Sequence, residues 1–578
     1  MISLNRMRFA VPLLAALALG ACDDDDPVPT NPVAGTIVDV ASSNPDLSTL
    51  VAALTAADLT ATLNGDGPFT VFAPRNAAFT ALGADVVAGL LVEGNLAELQ
   101  RILGVHVVVG AGVLSTDLSD GQTFTSLEGE ELTIDITGGV VSVNGSTVST
   151  PDVEASNGII HIVDNVIVPA ELDVYETALL TPSTTTLASA ILAGGLKSAA
   201  QGPDAITVFA PDNDAFGDLG GYTLGVLLDA DNQALLSDVL TYHIVSGTVE
   251  AADLVNGPQE TLEGGDIEIV VGPPTTVNSA TVTATNISAS NGVIHLIDGV
   301  LLESLDIVER AIITEETETL VTAVVAAGLV DALSSPEGPY TVFAPVNAAF
   351  AALPADQLAA LLDTANVDLL QKVLTFHVVN GSVLAGSLVD GQRVPTLQGD
   401  TLTIDLSDPM MPMVNGANIV ATDIVTENGV IHLIDAVMTD NLDIVDVARV
   451  NGFTELVGAL EATDLDDALR GANNGNGFTV FAPTNAAFEA LGGVIPPNLE
   501  DILLYHVLSG TVEAGDLSDG DTPGTLYSTH SFTVNIDAGT MAVTITDEAG
   551  NTVNVTVFDV MAKNGIIHVV DAILIPVP

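Results

Sequence analysis

The sequence predicts an α+β protein that consists of four similar domains in series. Two blocks support this prediction, because each occurs four times, in the same order, along the 578 residues. The first block, with the core TVFAP, begins at Phe69, Ile206, Tyr340 and Phe478, in steps of 137, 134 and 138 residues. The second block, NG(I/V)IH, begins at Asn157, Asn291, Asn428 and Asn564. Solenoid repeats are about 20–50 residues long, so a period of this size indicates whole domains.

The first half of each repeat alternates between helical and strand patterns. Leu50, Leu54 and Leu59 recur at helical spacing after the helix-start cluster Ser42–Pro45. The TVF strand of the first block should end at its Ala-Pro, since proline cannot continue an internal ladder. The asparagine two residues after that proline is predicted to cap the next helix, because its side-chain oxygen can accept a free backbone N–H.

The second half of each repeat indicates a sheet. A Leu-rich helix runs into a strand containing a histidine, and several β-branched segments follow. The Asn-Gly pair of the second block predicts a tight hairpin turn, since both residues tolerate positive φ. The closing strand is almost continuously apolar, which predicts burial on both faces. Each repeat is therefore expected to have a β-sheet core with helices packed on it.

The paired blocks TVFAPxNxAF and NGxIHxID, joined by a Leu-rich helix that ends in YHxxxG, resemble the fasciclin (FAS1) domain. This resemblance covers most of the chain and implies a β-sandwich-like core with packed helices, used in cell adhesion and in contacts with matrix or surfaces. The expected divisions are a signal peptide at 1–21, a tether at 22–33, and domains at 34–170, 171–303, 304–441 and 442–578.

Charge separates this chain from ordinary members of that family. Asp and Glu number 75 against 11 Lys and Arg, for a net charge of −64. Such a surface repels phosphates, so nucleic acid is not expected as a partner. Two interpretations remain open: adaptation to a saline, halophilic environment, where self-repulsion is screened within a few Å, and an ordinary acidic secreted protein.

The first 21 residues are typical of a secretory signal, with Arg6 and Arg8 before an apolar stretch that is too short to span a bilayer. Leu19–Cys22 resembles a bacterial lipobox, which implies acylation of Cys22 and the lipid bilayer as a partner. Cys22 is the only cysteine, so no intrachain disulfide is expected. The run Asp23–Asp26 can act as a solvated spacer or as a sorting signal. We expect the anchor at the outer membrane or cell surface, with the periplasm as the alternative.

Eight of the nine histidines occur at two per repeat, which suggests a metal or acid–base site in each domain. Geometry favours a structural role instead, because His161 and Asp164 stand three residues apart on a strand and therefore point to opposite faces. An unpaired buried polar group costs about 1–3 kcal/mol, so buried imidazoles bonded to backbone are expected. These structural histidines are His106, His161, His243, His295, His377, His432, His506 and His568.

The fasciclin resemblance also implies candidate interaction residues, because two segments near these blocks are implicated in integrin binding in animal members of that family. One segment is an acidic residue before the second block, here Asp152, Asp423 and Asp559. Another is the Tyr-His pair, which brings in Tyr242 and Tyr505. Core packing is the alternative role for both. The third repeat alone carries the apolar insertion Pro409–Met413, which makes Met410 and Met411 a candidate contact patch if they are exposed.

No lipase-type nucleophile elbow, zinc-protease motif, P-loop or EF-hand pattern occurs in the sequence. We therefore expect no enzyme activity and no cofactor or metal. The leading hypothesis is a membrane-anchored adhesion or matrix protein that binds an unidentified protein or polysaccharide through repeated domains, since several weak sites on one tether gain avidity. The alternative is an envelope spacer without a specific ligand.

Overall fold

A computed structural model describes residues 35–335, 337–471, 473–492 and 496–577. The predicted signal peptide, the acylation site Cys22 and the acidic tether lie outside the described residues. The chain divides into two compact units, one that ends at Ala170 and one that spans Glu171–Pro578. Each unit is described by itself below.

The first repeat has six helices and seven strands among its described residues. The helices are α1 (Ile37–Ser43), α2 (Ser48–Ala56), α3 (Thr60–Leu63), α4 (Asn76–Leu82), α5 (Ala84–Leu90) and α6 (Leu96–Val105). The strands are β1 (Phe69–Pro74), β2 (Val107–Val109), β3 (Thr123–Thr125), β4 (Glu131–Thr137), β5 (Val140–Val143), β6 (Ser146–Ala155) and β7 (Gly158–Val163).

The second repeat follows the same order. Its helices are α7 (Val174–Leu180), α8 (Thr185–Ala193), α9 (Lys197–Ala200), α10 (Asn213–Asp218), α11 (Gly220–Leu227) and α12 (Gln233–Tyr242). Its strands are β8 (Ile206–Pro211), β9 (Ile244–Ser246), β10 (Gly257–Glu260), β11 (Asp266–Val270), β12 (Thr276–Val277), β13 (Ala280–Ala289) and β14 (Gly292–Ile297).

The third repeat again has this arrangement. Its helices are α13 (Ile307–Ile312), α14 (Glu318–Ala326), α15 (Val330–Leu333), α16 (Asn347–Ala351), α17 (Ala355–Leu361) and α18 (Val367–Phe376). Its strands are β15 (Tyr340–Pro345), β16 (Val378–Asn380), β17 (Arg393–Pro395), β18 (Thr401–Asp405), β19 (Met413–Val414), β20 (Ala417–Thr426) and β21 (Gly429–Ile434).

The fourth repeat has six strands in its described residues and lacks a counterpart of β3. Its helices are α19 (Ile444–Val450), α20 (Thr454–Glu461), α21 (Leu465–Arg470), α22 (Asn485–Glu489) and α23 (Leu499–Tyr505). Its strands are β22 (Phe478–Pro483), β23 (Val507–Ser509), β24 (Thr533–Ile536), β25 (Val543–Thr546), β26 (Thr552–Ala562) and β27 (Gly565–Val570).

The two sequence blocks form a parallel strand pair at the centre of each domain. In the first repeat the sheet order is β2-β1-β7-β6-β5-β4-β3, and β1 runs parallel to β7 while the other neighbours are antiparallel. All six residues of β1 are buried. The proline ends this strand because a proline in mid-strand would remove a ladder hydrogen bond.

The long strand β6 bends the sheet onto itself. Its residues Ser146 and Thr147 pair with β5, whereas the residues from Val148 onward pair with β7 across two register shifts. Irregularities of this kind bend a strand and increase its twist. An isolated bridge between Val108 and Ser126 then brings the far end of the sheet back to β2. The result is the predicted α+β class with a sandwich-like core.

Each domain therefore buries apolar side chains in two places. The sandwich core of the first repeat includes Phe72, Leu132, Ile134 and Val143, which are almost fully buried. A second core lies between the helices and the parallel strand pair. In the third and fourth repeats this helix-side core forms one continuous cluster, which runs from Ile307 to Val569 along the sequence.

The predicted helix cap after the first block is wrong. Helix α4 begins at Asn76, so Asn76 is the first helical residue and Arg75 occupies the cap position. The Asn76 side chain instead reaches α2, where Oδ1 accepts the Thr49 N–H at 2.9 Å. Its Nδ2 donates to the Pro45 carbonyl at 2.9 Å. The amide thus satisfies a free N–H of another helix, as Asn213, Asn347 and Asn485 do in their own repeats.

The Asn-Gly pair of the second block also acts differently from the prediction. The hairpin turn consists of Ser156 and Asn157, and Gly158 is already paired with Ala155. Gly158 has no positive φ. A Cβ at this position would lie 2.2 Å from the carbonyl oxygen of Phe69, so glycine permits the close approach of β7 to β1. The Asn157 amide joins the start of α1, at Ile37, to the end of α3 at Leu63 and to Gly65 in the loop that follows.

Candidate functional sites

The histidine at the end of the Leu-rich helix is buried and bonded to backbone on both sides. His106 is 1 % exposed, and its Nδ1 lies 2.7 Å from the Ile102 carbonyl oxygen. Its Nε2 accepts the backbone N–H of Ile167 at 2.8 Å. This acceptor role requires a neutral ring protonated on Nδ1. Burial lowers the pKa of His106 to about 4.

The same arrangement recurs at the equivalent position of every repeat. His243, His377 and His506 each contact the carbonyl four residues earlier and accept a backbone N–H from the segment after the closing strand. Burial also lowers the pKa of each of these three histidines to about 4. These residues therefore tie a helix end to a distant loop.

The histidine of the second block has a similar but distinct environment. In the first repeat, His161 Nε2 donates to the Val113 carbonyl at 2.9 Å, and Nδ1 accepts the Asp152 N–H at 3.3 Å. The Phe72 ring stacks on it with centroids 5.5 Å apart. Burial lowers the pKa of His161. His295, His432 and His568 make the equivalent hydrogen bonds.

The histidine and the aspartate of the second block do not meet. Asp164 forms an ion pair with Arg75 at 2.9 Å, whereas the nearby carboxylate of His161 is Asp152, at 4.0 Å. Both ring nitrogens of His161 are already engaged, so proton transfer would first have to break a structural hydrogen bond. Within the described ranges, no three His, Cys, Asp or Glu side chains come together so as to hold a metal ion.

The three candidate aspartates hold a loop in place. Asp152 adopts a left-handed backbone with φ of 59°, and its carboxylate accepts the Ser115 N–H at 2.6 Å and the Ser115 hydroxyl. These bonds lower the pKa of Asp152. Asp423 accepts the Ala385 N–H at 2.7 Å and Asp559 the Ala514 N–H at 2.8 Å. Asp423 and Asp559 remain exposed, so they combine a structural bond with access to solvent.

The two candidate tyrosines are core residues, which corrects their assignment as contact residues. Tyr242 is 4 % exposed, and its hydroxyl donates to the Asp266 carbonyl at 2.8 Å. Tyr505 is fully buried and donates to the Ser531 carbonyl at 2.9 Å. Burial raises the pKa of Tyr505 to about 12. A large ring that fills the sandwich core cannot contact a partner without unfolding the domain.

The methionine insertion of the third repeat is on the surface. Met410 is 88 % exposed and Met411 is 52 % exposed, at the turn between β18 and β19. Met541 is 71 % exposed at the corresponding turn of the fourth repeat, between β24 and β25. The equivalent hairpins of the third and fourth repeats therefore expose flexible apolar side chains at their tips.

Sequence reasoning missed the joint between the third and fourth repeats. Lys372 of α18 pairs with Asp443 at 3.1 Å and with Asp446 of α19. Arg470 pairs with the same two carboxylates, at 3.0 and 2.7 Å. Burial alone would raise the pKa of Asp446, but Lys372 and Arg470 together hold it below its usual value. The sequence offered one signal for this joint: Lys and Arg are rare in the chain, and Lys372 and Arg470 both lie in the third and fourth repeats.

In the described part of the chain, no helix has the length and apolar composition needed to cross a bilayer.

A family model for the fasciclin domain matches residues 45–169, 182–303, 315–440 and 451–576.

Two curated relatives are similar over most of the chain. Transforming growth factor-beta-induced protein ig-h3 of Sus scrofa is 30% identical over 533 residues, which are 89% of this chain and 74% of the relative. Human periostin is 28% identical over 541 residues, which are 90% of this chain and 61% of the relative.

A solved FAS1 domain pair from the insect cell adhesion molecule fasciclin I is also similar. It covers 45% of this chain and 98% of its own, with 18% identity and a TM-score of 0.23. The family model matches well over half of the sequence, and the matched segments contain both recurring blocks. The chain therefore belongs to the fasciclin domain family.

Proposed function

We propose that this protein is a non-catalytic adhesion or matrix-contact protein, held on a bilayer through acylated Cys22 and exposing four fasciclin domains. The observation that carries the proposal is the methionine tip of the third repeat, where Met410 is 88 % exposed. A contiguous exposed apolar patch marks a contact site, and Met410 and Met411 are adjacent and both exposed. Methionine is flexible and polarisable, so it adapts to partners of different shape.

The repeated histidines support a non-catalytic role. In each domain their ring nitrogens are bonded to backbone groups, and the side chains are almost fully buried. Repetition supports adhesion, because several weak contacts on one tether raise the effective concentration of each remaining site. The partner is a protein or polysaccharide of the matrix or of another cell.

The contact can be tested by cell adhesion with the double variant Met410→Ser, Met411→Ser. The expected result is a clear loss of adhesion with unchanged thermal stability, since both side chains are exposed. Val389→Ser is the matched control, because Val389 is also in the third repeat and is 62 % exposed. Adhesion that survives the double variant, or is lost equally in the control, would remove the methionine tip from the contact.

A spacer role in the envelope is the second candidate, favoured by the continuous core of the third and fourth repeats, which makes that pair stiff. Protease treatment of intact cells separates the two functions. Removal of the protein from intact cells supports surface adhesion, and Cys22→Ala, which lacks the acylation site, is the control. Protection until the outer membrane is opened supports the spacer and rules out adhesion between cells.

A further inference from the structure

A cavity of about 670 Å³ lies between the third and fourth repeats. Lys372 and Gln398 line it from the third repeat, and Arg470, Asn476, Thr511 and Lys563 line it from the fourth. Ligand pockets in proteins typically measure about 300–1,000 Å³. The cavity therefore has room for a ligand of several sugar or amino-acid units.

The lining of this cavity is rich in cations for so acidic a chain. Three of the 11 Lys and Arg residues line it, in a protein with a net charge of −64, and each is paired with one or more of the carboxylates of Asp400, Asp443 and Asp446. Cations gathered in a cleft raise the local concentration of anionic ligands. The chemistry of this cavity favours an anionic ligand.

Two of the cations keep donors for such a ligand. The ion pairs of Arg470 with Asp443 and Asp446 both use Nη1, which leaves the N–H groups of Nε and Nη2. Lys563 holds the carboxylate of Asp400 at 2.7 and 2.8 Å, and its side chain is 47 % exposed. An exposed pair contributes only about 0–1 kcal/mol, so Lys563 can exchange Asp400 for a ligand carboxylate at little cost.

The preceding joint, between the second and third repeats, provides an internal comparison. When the repeats are aligned, the positions of Lys372, Gln398, Arg470 and Lys563 are occupied at the earlier joint by other residues. These are, in the same order, Asp238, Glu263, Ser334 and Glu427. Those two repeats still contact each other, since the Thr223 hydroxyl donates to the Ile313 carbonyl at 2.7 Å. Contact between repeats therefore does not require the cations, and all four changes make the later cleft more positive.

The lining also indicates the class of anion. The described lining residues include no aromatic ring, so recognition would depend on charge and hydrogen bonds instead of stacking. The amides of Gln398 and Asn476 and the hydroxyl of Thr511 can bond sugar hydroxyls, and a guanidinium matches a carboxylate.

We propose that the cleft between the third and fourth repeats binds an acidic polysaccharide, with a uronate carboxylate on Arg470 and Lys563. This inference rests on the proposed matrix contact and specifies a partner for it. It carries an unusual salt dependence. At about 0.01 M salt the screening length is about 30 Å, so the net charge of −64 repels a polyanion, whereas at about 0.15 M it is about 8 Å. Binding should first strengthen with salt and then decline.

The test is calorimetric titration of the full chain with an oligogalacturonate at physiological salt. Lys563→Glu, which restores the residue type of the preceding joint, should weaken binding at least tenfold. Arg470→Lys should also weaken binding at least tenfold. It keeps a positive charge beside Asp443 and Asp446 but removes the guanidinium N–H groups that would bind the ligand carboxylate. Arg393→Glu is the control: it makes the same charge change outside the cavity and should stay within twofold of the unmodified chain. The methyl-esterified oligomer should not bind.

Three outcomes would overturn the inference: no binding of the oligogalacturonate, equal weakening by Arg393→Glu, or preferred binding of oligoglutamate, which would indicate an acidic peptide. If Arg470→Lys lowers the melting temperature, Lys563→Glu and Asn476→Ala decide the result. The proposed function fails separately, since protease protection in intact cells would refute adhesion without affecting titration of the purified chain.

Discussion

The Nε2 atom of His106 accepts the backbone N–H of Ile167 at 2.8 Å, across 61 residues of sequence. A protonated ring would place two N–H groups against each other, so this contact exists only with a neutral histidine. Four such contacts, one in each repeat, make folding depend on pH.

The first prediction is a loss of stability in acid. The pKa of His106 is about 4 when folded, against about 6.5 when unfolded, so the unfolded chain binds more protons between these values. Stability is therefore complete above about pH 6.5 and falls as the pH drops toward 4, by up to about 3 kcal/mol for each such histidine. Thermal melts at pH 7.5 and 5 in equal salt measure this. Equal midpoints would contradict it.

The second prediction concerns the asparagine of the second block. Asn428 is 8 % exposed, and its side chain bonds the Ile307 N–H at 3.0 Å and the Leu333 carbonyl at 2.7 Å. Asn428→Ala leaves both backbone groups without this partner and should cost about 2–4 kcal/mol in the free energy of unfolding. Asn380→Ala, at an exposed position in the same repeat, should have little effect. Denaturant titration compares the two.

The third prediction concerns the glycine of the second block in the second repeat, which follows Asn291. A Cβ on Gly292 would lie 2.1 Å from the Ile206 carbonyl oxygen, so Gly292→Ala must push two paired strands apart. A loss of about 3 kcal/mol is expected. Gly217→Ala in the same repeat meets nothing within 4 Å and should be neutral or stabilising by up to about 1 kcal/mol. Similar melting temperatures for the two variants would refute the close-approach explanation.

The fourth prediction concerns the joint between the second and third repeats. Asp238 and Glu263 stand against Asp306, Glu309 and Glu427, and burial, with these carboxylates as neighbours, raises the pKa of Asp238, Glu309 and Glu427. Carboxyls with a raised pKa bind protons more tightly when docked than when apart. Docking should therefore strengthen as the pH falls, weaken as the pH rises through the raised pKa values, and strengthen with salt.

Distances between spin labels on the second and third repeats would measure this docking. We expect broader distances at pH 7.5 and low salt than at pH 5 or high salt. Labels on the third and fourth repeats are the control, since Lys372 and Arg470 offset Asp443 and Asp446 there. Asp238→Lys, which introduces the residue type of Lys372, should remove the dependence. If the distribution of label distances stays equally narrow at both pH values, the carboxylates do not control docking.

The fold class could be predicted because its signals are local. The strand that ends at Pro74, the apolar closing strand Gly158–Val163 and the Leu-rich helix all follow from short runs of sequence. The exposure of Met410 and Met411 does not follow from the sequence, because an apolar insertion can face solvent or a neighbouring domain.

The sequence by itself determined the number of domains, their class and their family, since each depends on patterns that repeat along the chain. Only the tertiary structure decided that Asn76 caps α2 instead of its own helix, that Tyr505 is buried, and that Lys372 meets Asp446. Those partners lie 27 to 74 residues apart in sequence. A hydrogen bond or ion pair depends on distance in space, which local residue patterns do not specify.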